Sequence, residues 1–549
     1  MDSSADTTQA PAPPAETPTE AAAMERHRAA VAKIAGSVAR LFEAKEPYRI
    51  FHGSTNTTRP LRPGDRRVDI SALRHVLSVD RAARRALVEP NVPMDRLVEG
   101  TLRHGLVPPV VMEFPGITCG GGFAGTGGES SSFRHGYFDE NVRAVEMVLA
   151  DGEVVRASSP SSQAEGEGEN PDLFAAATGS VGTLGVTTAL ELDLIEAKRF
   201  VRTTYRRVHS VAEAVRAVRE EVDRPGNDYV DGILFSKDHG VIITGTMTDD
   251  KPEAERVQTF SGAWDPWFYL HVQNRTKALP PASSSSSVSS VTEYVPLAEY
   301  LFRYDRGGFW VARHAFKYFF MVPFNRFTRW FLDDFLHTRM LYRALHASAH
   351  HQTFVVQDLA LPFETAERFV DYTADRFGIW PLWLCPLRRR AGGGHNTFHP
   401  VTTPPGADPN PADERQMLNI GLWGQGPTDR ARFVALNKDL EAKVRELGGM
   451  KWLYAHTYYA EPEFWDIYGG RAWYDAVRAR YRAGPLPSVY DKVKVREEGA
   501  GVGFKDRLKR IWPIGGLYGI YRSILSGDYH LHRKAGWKWA GETGKIKAD

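Results

Sequence analysis

The sequence has little of what marks secreted, membrane-spanning or metal-binding proteins. Its two cysteines, Cys119 and Cys385, are too far apart to form a CxxC pair or a disulfide framework, which favours a reducing compartment. No uncharged apolar run approaches the roughly 20 residues of a membrane-spanning helix. His350 and His351 have neither ligand spacing nor a nearby carboxylate motif, so we infer no metal.

Neither sign of charge is in excess. The chain has 69 Lys and Arg against 67 Asp and Glu, a formal net charge of +2. The molecule as a whole therefore offers nucleic acid no electrostatic attraction, and we expect no nucleic-acid partner.

The length of 549 residues exceeds what one compact core supports, so two or three domains are expected. Residues 1–24 lack an apolar core and a basic start, and predict a disordered tail that is neither signal peptide nor anchor. Residues 25–197 alternate short strands with helices in an α+β pattern that includes a helix opened near Pro93 and closed by Gly105, and a hairpin at Asp151 and Gly152. Residues 198–495 form a second α+β region, in which a helix with the capping box Ser210 and Glu213 comes early. Residues 496–549 are a basic and aromatic extension.

The most unusual stretch is EFPGITCGGGFAGTGGESSSFRHG, residues 113–136, which is rich in glycine and hydroxyl side chains. Glycine lets backbone amides approach a ligand closely, and consecutive amides in tight turns bind anions such as a diphosphate. The stretch contains no GxxxxGK[ST] motif, which excludes a P-loop, and it lacks the strand-to-helix position that a nicotinamide fingerprint requires. Taken alone, it is equally well explained as a flexible or bulged loop.

Two further loops of small residues change that balance. HGSTNTT begins at His52, and TGSVGTLGV begins at Thr178, just before a predicted strand. Three such loops in one half of a chain favour a shared ligand over three separate linkers.

In this order, the three loops resemble the FAD-binding domain of the vanillyl-alcohol oxidase and para-cresol methylhydroxylase (PCMH) superfamily. The stretch from VEPNVPMDRL to LADGEVVR is similar to one member family, the Delta(24)-sterol reductases. The similarity continues through VDGILFSKDHG, EYVPLAEYLFRYDRGGFW, VVQDLALPF and LYAHTYYAEPEFWDIYGG. It covers about residues 45–495 and includes the substrate half, so it is more specific than a match to a flavin domain.

The resemblance implies a PCMH-type FAD-binding domain of two subdomains, residues 25–197, and an α+β substrate domain with a mainly antiparallel sheet, residues 198–495. One FAD per chain is expected. Several oxidases of the superfamily attach the flavin through His or Cys, for which His52 and Cys119 are candidates, but we expect non-covalent binding. The cofactor residues that the resemblance implies are Ser54, Thr55, Asn56, Thr118, Cys119, Gly120, Gly121, Gly122, Phe123, Ala124, Gly125, Thr126, Gly127, Gly128, Glu129, Ser130, Gly182, Thr183, Gly185 and Val186.

The resemblance also implies a sterol or triterpenoid substrate with a trisubstituted side-chain alkene, and NADPH as a transient reductant. Reduction of such an alkene needs a proton donor held against an apolar pocket, where burial raises the pKa of a carboxyl group. Tyr458, with His456 or Glu463 as partner, is the first candidate donor, and Asp358 is the second. Either could instead be structural, as a core aromatic or a buried ion pair. Glu129 is expected to bind the cofactor rather than donate the proton.

Other functions stay open on the residues alone. A Delta(24) isomerase would share the protonation step, and an FAD-linked oxidase of a secondary metabolite would use molecular oxygen. A sterol carrier or scaffold would need no cofactor, and the intact glycine loops argue against it.

The polar N-terminus predicts a cytoplasmic protein, with peripheral contact at the endoplasmic reticulum membrane as an option. The C-terminal extension, rich in Trp and Arg, could lie in a membrane interface or pack on the protein as a helix. Residues 309–330, which are aromatic and basic, could line a sterol pocket, open onto a membrane or form core helices.

Overall fold

The structure, a computed structural model, describes residues 18–53, 64–159, 169–280, 290–348, 353–388, 398–402, 416–495 and 511–541. Four sets of residues discussed above lie outside these ranges: residues 1–17 of the predicted tail, the loop residues Ser54, Thr55 and Asn56, the histidines His350 and His351, and residues 496–510 and 542–549 of the C-terminal extension.

The strands of the first half form a five-stranded antiparallel sheet and two smaller pairs. They are β1 Tyr48–Phe51, β2 Arg66–Asp69, β3 Val76–Asp80, β4 Arg85–Val88, β5 Leu106–Val107, β6 Val142–Leu149, β7 Val154–Ser158, β8 Gly185–Asp193 and β9 Ile195–Glu196. The sheet has the order β3-β4-β8-β6-β7, while β1 pairs with β2 and β5 with β9. The hairpin predicted at Asp151 and Gly152 joins β6 to β7, and Gly152 has a φ of +93°.

The helices of this half are α1 Pro18–Glu43, α2 Met94–Leu102, α3 Cys119–Ala124, α4 Ser132–His135 and α5 Pro171–Ala177. Pro93 caps α2 in an extended conformation, and Gly105 follows its end with a φ of +71°, as predicted. Helix α1 begins at Pro18, so the predicted tail of residues 1–24 is too long. Proline is tolerated in a first helical turn, and the alanines at 21–23 are strong helix formers.

His27 fixes α1 to the five-stranded sheet. Its Nδ1 lies 2.9 Å from Glu89 Oε1 and its Nε2 lies 3.1 Å from Glu146 Oε1. Burial alone would lower the pKa of His27, but the hydrogen bonds and charges of Glu146 and Glu89 raise it to about 9.

The second half contains an eight-stranded sheet. Its strands are β10 Phe200–Val208, β11 Tyr229–Ser236, β12 His239–Thr248, β13 Ser290–Pro296, β14 Phe354–Leu361, β15 Leu382–Arg388, β16 Gln416–Gln425 and β17 Met450–Lys451. Their order is β13-β10-β12-β11-β15-β16-β14-β17, and neighbouring strands pair antiparallel. This sheet confirms the predicted α+β class with a mainly antiparallel substrate half.

The helices of the second half are α6 Val211–Asp223, α7 Phe268–Thr276, α8 Leu297–Leu301, α9 Ala312–Tyr318, α10 Arg326–Phe331, α11 Thr338–Ala347, α12 Phe363–Arg376, α13 Arg430–Glu446, α14 Glu461–Tyr468, α15 Arg471–Arg480 and α16 Val489–Val493. The capping-box residue Ser210 begins α6, because its Oγ accepts a hydrogen bond from Glu213 N at 3.1 Å.

The eight-stranded sheet has two different faces because side chains alternate along a strand. On β15, Leu382 and Leu384 pack in a core cluster with residues of α6, α12 and α13. The alternate residues of the same strand, Trp383 and Cys385, point to the other face, toward the core of the first half. The same alternation on β14 separates Asp358 from its neighbour Leu359.

The C-terminal extension forms α17 Ile514–Ser526 and α18 Tyr529–Arg533. Helix α17 lies close to α11 because its contact residues are small. A Cβ on Gly519 would meet Ala344 O at 2.8 Å, and Ser523 Oγ donates a 3.1 Å hydrogen bond to Met340 O. Within the described ranges, no helix is both long and apolar enough to cross a membrane.

Candidate functional site

A cavity of about 1500 Å³ lies between the glycine loops of the first half and the eight-stranded sheet. One part is lined by glycine backbone and the other by aliphatic and aromatic side chains of α9, α11 and α17. A pocket for one small molecule usually measures about 300–1000 Å³. The cavity is therefore large enough for a dinucleotide and an apolar substrate together.

The first glycine loop forms one wall of this cavity. Thr118 caps the short helix α3, with its Oγ1 accepting a hydrogen bond from Gly121 N at 3.2 Å. Cys119 and Phe123 point the other way, into the core. The predicted cofactor residues of this loop that line the cavity are Thr118, Gly120, Gly121, Gly122, Ala124, Gly125, Gly127 and Gly128.

The glycines of this wall do not all have the same surroundings. A Cβ on Gly122 would meet Met112 Cε at 2.6 Å, and one on Gly128 would meet Leu387 Cδ2 at 2.6 Å. A Cβ on Gly121 would meet only Thr118 Oγ1, at 3.1 Å. A Cβ on Gly122 would also meet the Phe138 ring at 2.8 Å, so this position leaves no room for a Cβ, whereas at Gly128 the Leu387 side chain would have to shift and Gly121 borders open cavity.

The second glycine loop lies at the same wall. Gly182 has a φ of +72° and Gly185 a φ of +156°, a conformation that favours glycine, and both line the cavity. Lys492 Nζ donates a hydrogen bond to Val181 O at 2.5 Å and so ties this loop to α16. Two predicted residues lie behind the wall: Thr183, whose hydroxyl is 2.6 Å from the hydroxyl of Tyr474, and Val186, which belongs to the core.

The two candidates for covalent flavin attachment are placed differently. Cys119 is fully buried in the core and is not among the residues that line the cavity. Burial also raises the pKa of its thiol, which disfavours the reactive thiolate. His52 does line the cavity, and burial together with the charge of Lys492 lowers the pKa of its imidazole.

Glu129 and Ser130, which were predicted to bind cofactor, are buried behind the loop. Ser130 Oγ donates to Glu129 Oε2 at 2.7 Å, and Arg303 Nη2 donates to Ser130 Oγ at 3.2 Å and to Asp231 Oδ2 at 3.0 Å. Trp383 Nε1 also donates to Asp231 Oδ2, at 3.1 Å. This chain of hydrogen bonds connects the glycine loop to the sheet, so the described contacts of Glu129 and Ser130 are structural. Thr126 is likewise buried, and its carbonyl accepts from Trp452 Nε1 at 2.9 Å.

Asp358 lies on the sheet side of the cavity. Asn419 on the neighbouring strand β16 donates a hydrogen bond from Nδ2 to Asp358 Oδ1 at 3.0 Å. Burial raises the pKa of Asp358 to about 7, although hydrogen bonds from Asn419 and Trp423 oppose the shift. No salt bridge to Asp358 is found among the described residues, and with a pKa of about 7 the carboxyl group keeps part of its proton near neutral pH.

Glu113 is a second buried acid at the cavity, and the sequence did not predict it as a site residue. Its side chain lines the cavity next to the glycine loop, and its Oε1 accepts no hydrogen bond from any described residue. Burial and the nearby charge of Glu129 raise its pKa well above the usual value, against the effect of Arg303. Its position directly before FPGITCGGG was visible in the sequence, but no local signal reveals an unpartnered oxygen.

Tyr458 lies away from this site. Its backbone N–H donates to Glu441 Oε1 at 2.9 Å, and its ring packs against the core cluster on the opposite face of the sheet. Glu441 forms a buried ion pair with Lys451 Nζ at 2.9 Å. Tyr458 is not among the described residues that line the cavity, so the structure brings Asp358, but not Tyr458, to the cavity.

The residues present fit FAD. Glycine backbone borders the open cavity at two loops, and apolar walls continue from it, which suits a diphosphate followed by an aromatic ring. Residues 29–158 match the family model described as FAD binding domain. Fold and site together define a flavoprotein with the FAD-binding domain of this superfamily.

Comparison with curated proteins narrows this class. The chain is 31% identical to Delta(24)-sterol reductase of Rattus norvegicus over 432 residues, which cover 77% of this chain and 76% of the relative. It is 31% identical to Delta(24)-sterol reductase of Homo sapiens over 431 residues, with the same shares covered. It is 27% identical to that of Arabidopsis thaliana over 449 residues, 78% of this chain and 76% of the relative. The chain belongs to the Delta(24)-sterol reductase family and is an FAD-dependent oxidoreductase.

Proposed function

We propose that this protein reduces the side-chain Delta(24) double bond of a sterol or related triterpenoid, with FAD as cofactor and NADPH as hydride source. The family membership supports the reaction class. The observation that carries the proposal for this chain is Asp358, a buried acid with a pKa of about 7 in the wall of a cavity that also contains the glycine loops.

The reaction as a whole adds one proton and one hydride across a carbon–carbon double bond and oxidises NADPH to NADP⁺. The chemistry that bound FAD supplies is two-electron hydride transfer. The proton must come from the protein, because an unactivated alkene gains an electrophilic carbon only when its partner carbon is protonated. Asp358 holds that proton at a carboxyl oxygen, and we assign it the role of donor to carbon 24.

Other residues of the cavity orient this acid and keep water away. Asn419 donates a hydrogen bond to the Asp358 carboxyl group. Trp383, Trp423 and Phe309 form a packed aromatic group, with the rings of Phe309 and Trp423 at 4.5 Å and those of Trp383 and Trp423 at 5.8 Å. An apolar wall of this kind keeps the carboxyl group uncharged and suits the hydrocarbon of a sterol.

FAD is proposed to bind through the two described glycine loops, together with Ser54, Thr55 and Asn56. Non-covalent binding is expected; Cys119 faces the core, and of the two candidates for attachment His52 is the one that lines the cavity. Denaturation followed by filtration tests this point, since a non-covalent flavin leaves its yellow colour in the filtrate. Residues 25–197 as flavin domain and 198–495 as substrate domain belong to the same proposal.

Peripheral contact with a membrane on the cytoplasmic side is also part of the proposal. Sterols are stored in lipid bilayers rather than in water, and the apolar part of the cavity is lined by helices at the surface of the protein. The contact would bring the enzyme to its substrate.

The decisive experiment is anaerobic incubation of the purified protein with FAD, NADPH and desmosterol, followed by separation of the sterols by mass. A product heavier by two hydrogens is expected. A product of unchanged mass but shifted retention would replace the reductase by an isomerase. No product with desmosterol or other Delta(24) terpenoids, with hydrogen peroxide formed in air, would favour an oxidase.

A further inference from the structure

The exposed large apolar side chains are concentrated in one part of the surface. Within the described residues they lie in three segments, residue 264, residues 320–331 and residues 511–531, with the single exception of Val154 on β7. Scattered exposed apolar residues are normal on any protein, but a large contiguous patch marks a surface that binds something.

Direct contacts join the three segments into one surface, which we call the aromatic face. The rings of Phe320 and Trp512 stack at 5.4 Å, and Trp512 Nε1 donates to Tyr318 O at 2.9 Å. The rings of Trp264 and Trp330 stack at 4.7 Å. The C-terminal extension and the region around α9 and α10 are therefore parts of the same face.

Helix α17 has the reverse of the pattern found in a helix on a water-exposed surface. Its buried positions are Gly515, Gly519 and Ser523. Its exposed positions are almost entirely apolar, namely Ile514, Leu517, Tyr518, Tyr521, Ile524 and Leu525. A helix with small residues inward and large apolar residues outward is suited to an apolar environment outside the protein.

The aromatic face is also cationic. Residues 311–348 and 511–541, the segments around this face, contain ten Lys and Arg, of which Arg339 is buried in an ion pair with Asp95, against three Asp and no Glu. The three acids are already paired within the protein: Asp333 with Arg306, Asp334 with Arg533 and Asp528 with Arg343. The exposed cations that remain include Arg313, Lys317, Arg326, Arg522 and Lys534.

The aromatic face is continuous with the cavity. Leu517, Tyr518 and Leu525 of α17 are exposed and also line the cavity. The cavity therefore reaches the surface at this helix. Residues of the apolar and cationic surface therefore border its mouth.

We propose that the aromatic face docks on the surface of a membrane that contains anionic lipids, and that sterol enters the cavity from the bilayer beside α17. The apolar side chains enter the interface, while Lys317, Lys534 and the other exposed cations contact lipid phosphates. The docking depends only on this surface, whereas sterol entry rests on the proposed function. A second copy of the chain is the competing occupant, but two cationic faces would repel each other.

The test is sedimentation of the purified protein with sterol-free vesicles of phosphatidylcholine, alone or mixed with phosphatidylglycerol. The wild type is expected to sediment with the mixed vesicles, less with the neutral ones, and less again at high salt because salt screens the cations. The double variant Phe320→Ser, Phe331→Ser removes side chains that are 70% and 71% exposed, and an unchanged circular dichroism spectrum and melting temperature check that the loss of the Phe320–Trp512 stack leaves the fold intact. Its vesicle affinity should fall by about tenfold or more.

Val154→Ser is the matched control, because Val154 is 44% exposed but lies on β7, outside the aromatic face. It should bind vesicles as the wild type does. The proposal is overturned if the wild type stays in the supernatant, or if the double variant binds as well as wild type. It is also overturned if light scattering finds a dimer that the double variant dissociates while vesicles capture neither protein.

A turnover assay separates this proposal from the proposed function. With sterol in detergent micelles the double variant should match wild type, and with sterol in mixed vesicles its kcat/KM should fall. If vesicle binding is lost as expected but neither protein reduces sterol in micelles, the docking surface stands and the proposed reaction fails.

Discussion

Asn419 holds Asp358 in one orientation from the neighbouring strand. Its Nδ2 donates to Asp358 Oδ1 at 3.0 Å, while its Oδ1 accepts from Leu359 N at 2.9 Å. Because the backbone N–H of Leu359 can bond only the oxygen of the amide, the amide nitrogen must face the carboxyl group. An acid whose rotamer is fixed by such a partner is positioned to protonate a substrate bound in the same cavity.

Replacement of Asp358 by Asn should abolish proton donation while it leaves the site intact. We expect kcat to fall by about 10²–10⁴, the usual contribution of a general acid. The flavin spectrum should not change, because Asp358 lies on the sheet and not in a glycine loop. Asp375→Asn, at a carboxyl group that is 76% exposed, is the control and should keep full activity. Equal turnover in both variants would remove Asp358 from the mechanism.

Because its pKa is raised, Asp358 should make both the stability and the turnover of the protein depend on pH. Burial shifts this pKa from 3.8 to about 7, so the folded protein binds more protons than the unfolded chain in that interval. The free energy of unfolding therefore loses a contribution as pH rises from about 4 to about 7. Turnover should fall as pH rises through about 7, because the donor loses its proton.

Asp358→Asn should remove both effects. Above pH 7 the variant should be more stable than wild type by roughly 2–4 kcal/mol, as measured by urea unfolding at several pH values. If the difference in the free energy of unfolding between variant and wild type stayed the same from pH 4 to pH 8, the pKa of Asp358 would not be raised.

Gly121 offers the least disruptive test of the cofactor site. A tryptophan there would project into the cavity, since Thr118 Oγ1 is the one described atom within 4 Å of its Cβ. We expect Gly121→Trp to be colourless after purification. Its melting temperature should be close to that of the wild-type protein from which FAD has been removed. Gly36→Trp, on the exposed side of α1 with no atom within 4 Å of the Cβ, should stay yellow. A yellow Gly121→Trp would move FAD away from this wall.

His27→Gln should destabilise the fold through the docking of α1. Glu89 and Glu146 would lose a charged partner, and the expected cost is about 2–4 kcal/mol near neutral pH. Because the pKa of His27 is raised from 6.5 to about 9, its contribution is complete below pH 6.5 and is lost as pH rises through about 9. Urea unfolding measures this, with the exposed His104→Gln as control. If His27→Gln lowered the free energy of unfolding equally at pH 6 and pH 10, the charge of His27 would not be the cause.

Signals within a few residues of each other predicted the local elements. Proline and glycine marked the ends of α2, Asp151 and Gly152 marked the hairpin, and Ser210 marked the start of α6. These features act through the backbone next to them, so a single sequence contains the information. The three glycine loops and the resemblance then led to FAD.

The wall around Asp358 could not be predicted in the same way. Asn419 is 61 residues from Asp358 and becomes its neighbour only when β14 pairs with β16. The hydrogen bonds from Arg303 to Ser130 and Asp231 likewise form only when the second half of the chain packs against the glycine loop. In the sequence the glycines looked alike, but contacts with Met112 and Leu387 separate Gly122 and Gly128 from Gly121. Each of these facts depends on contacts between distant segments.

Tyr458→Phe distinguishes the two candidate donors that the sequence suggested. Tyr458 packs on the face of the sheet away from the cavity, and burial raises the pKa of its hydroxyl to about 12. Loss of that hydroxyl should leave kcat within about twofold of wild type, far from the 10²–10⁴ effect of a lost general acid. Single-turnover reduction of the sterol, measured beside Asp358→Asn, compares the two directly. A large loss in Tyr458→Phe with an intact flavin spectrum and an active Asp358→Asn would assign the proton to Tyr458, and would require this segment to move toward the cavity during turnover.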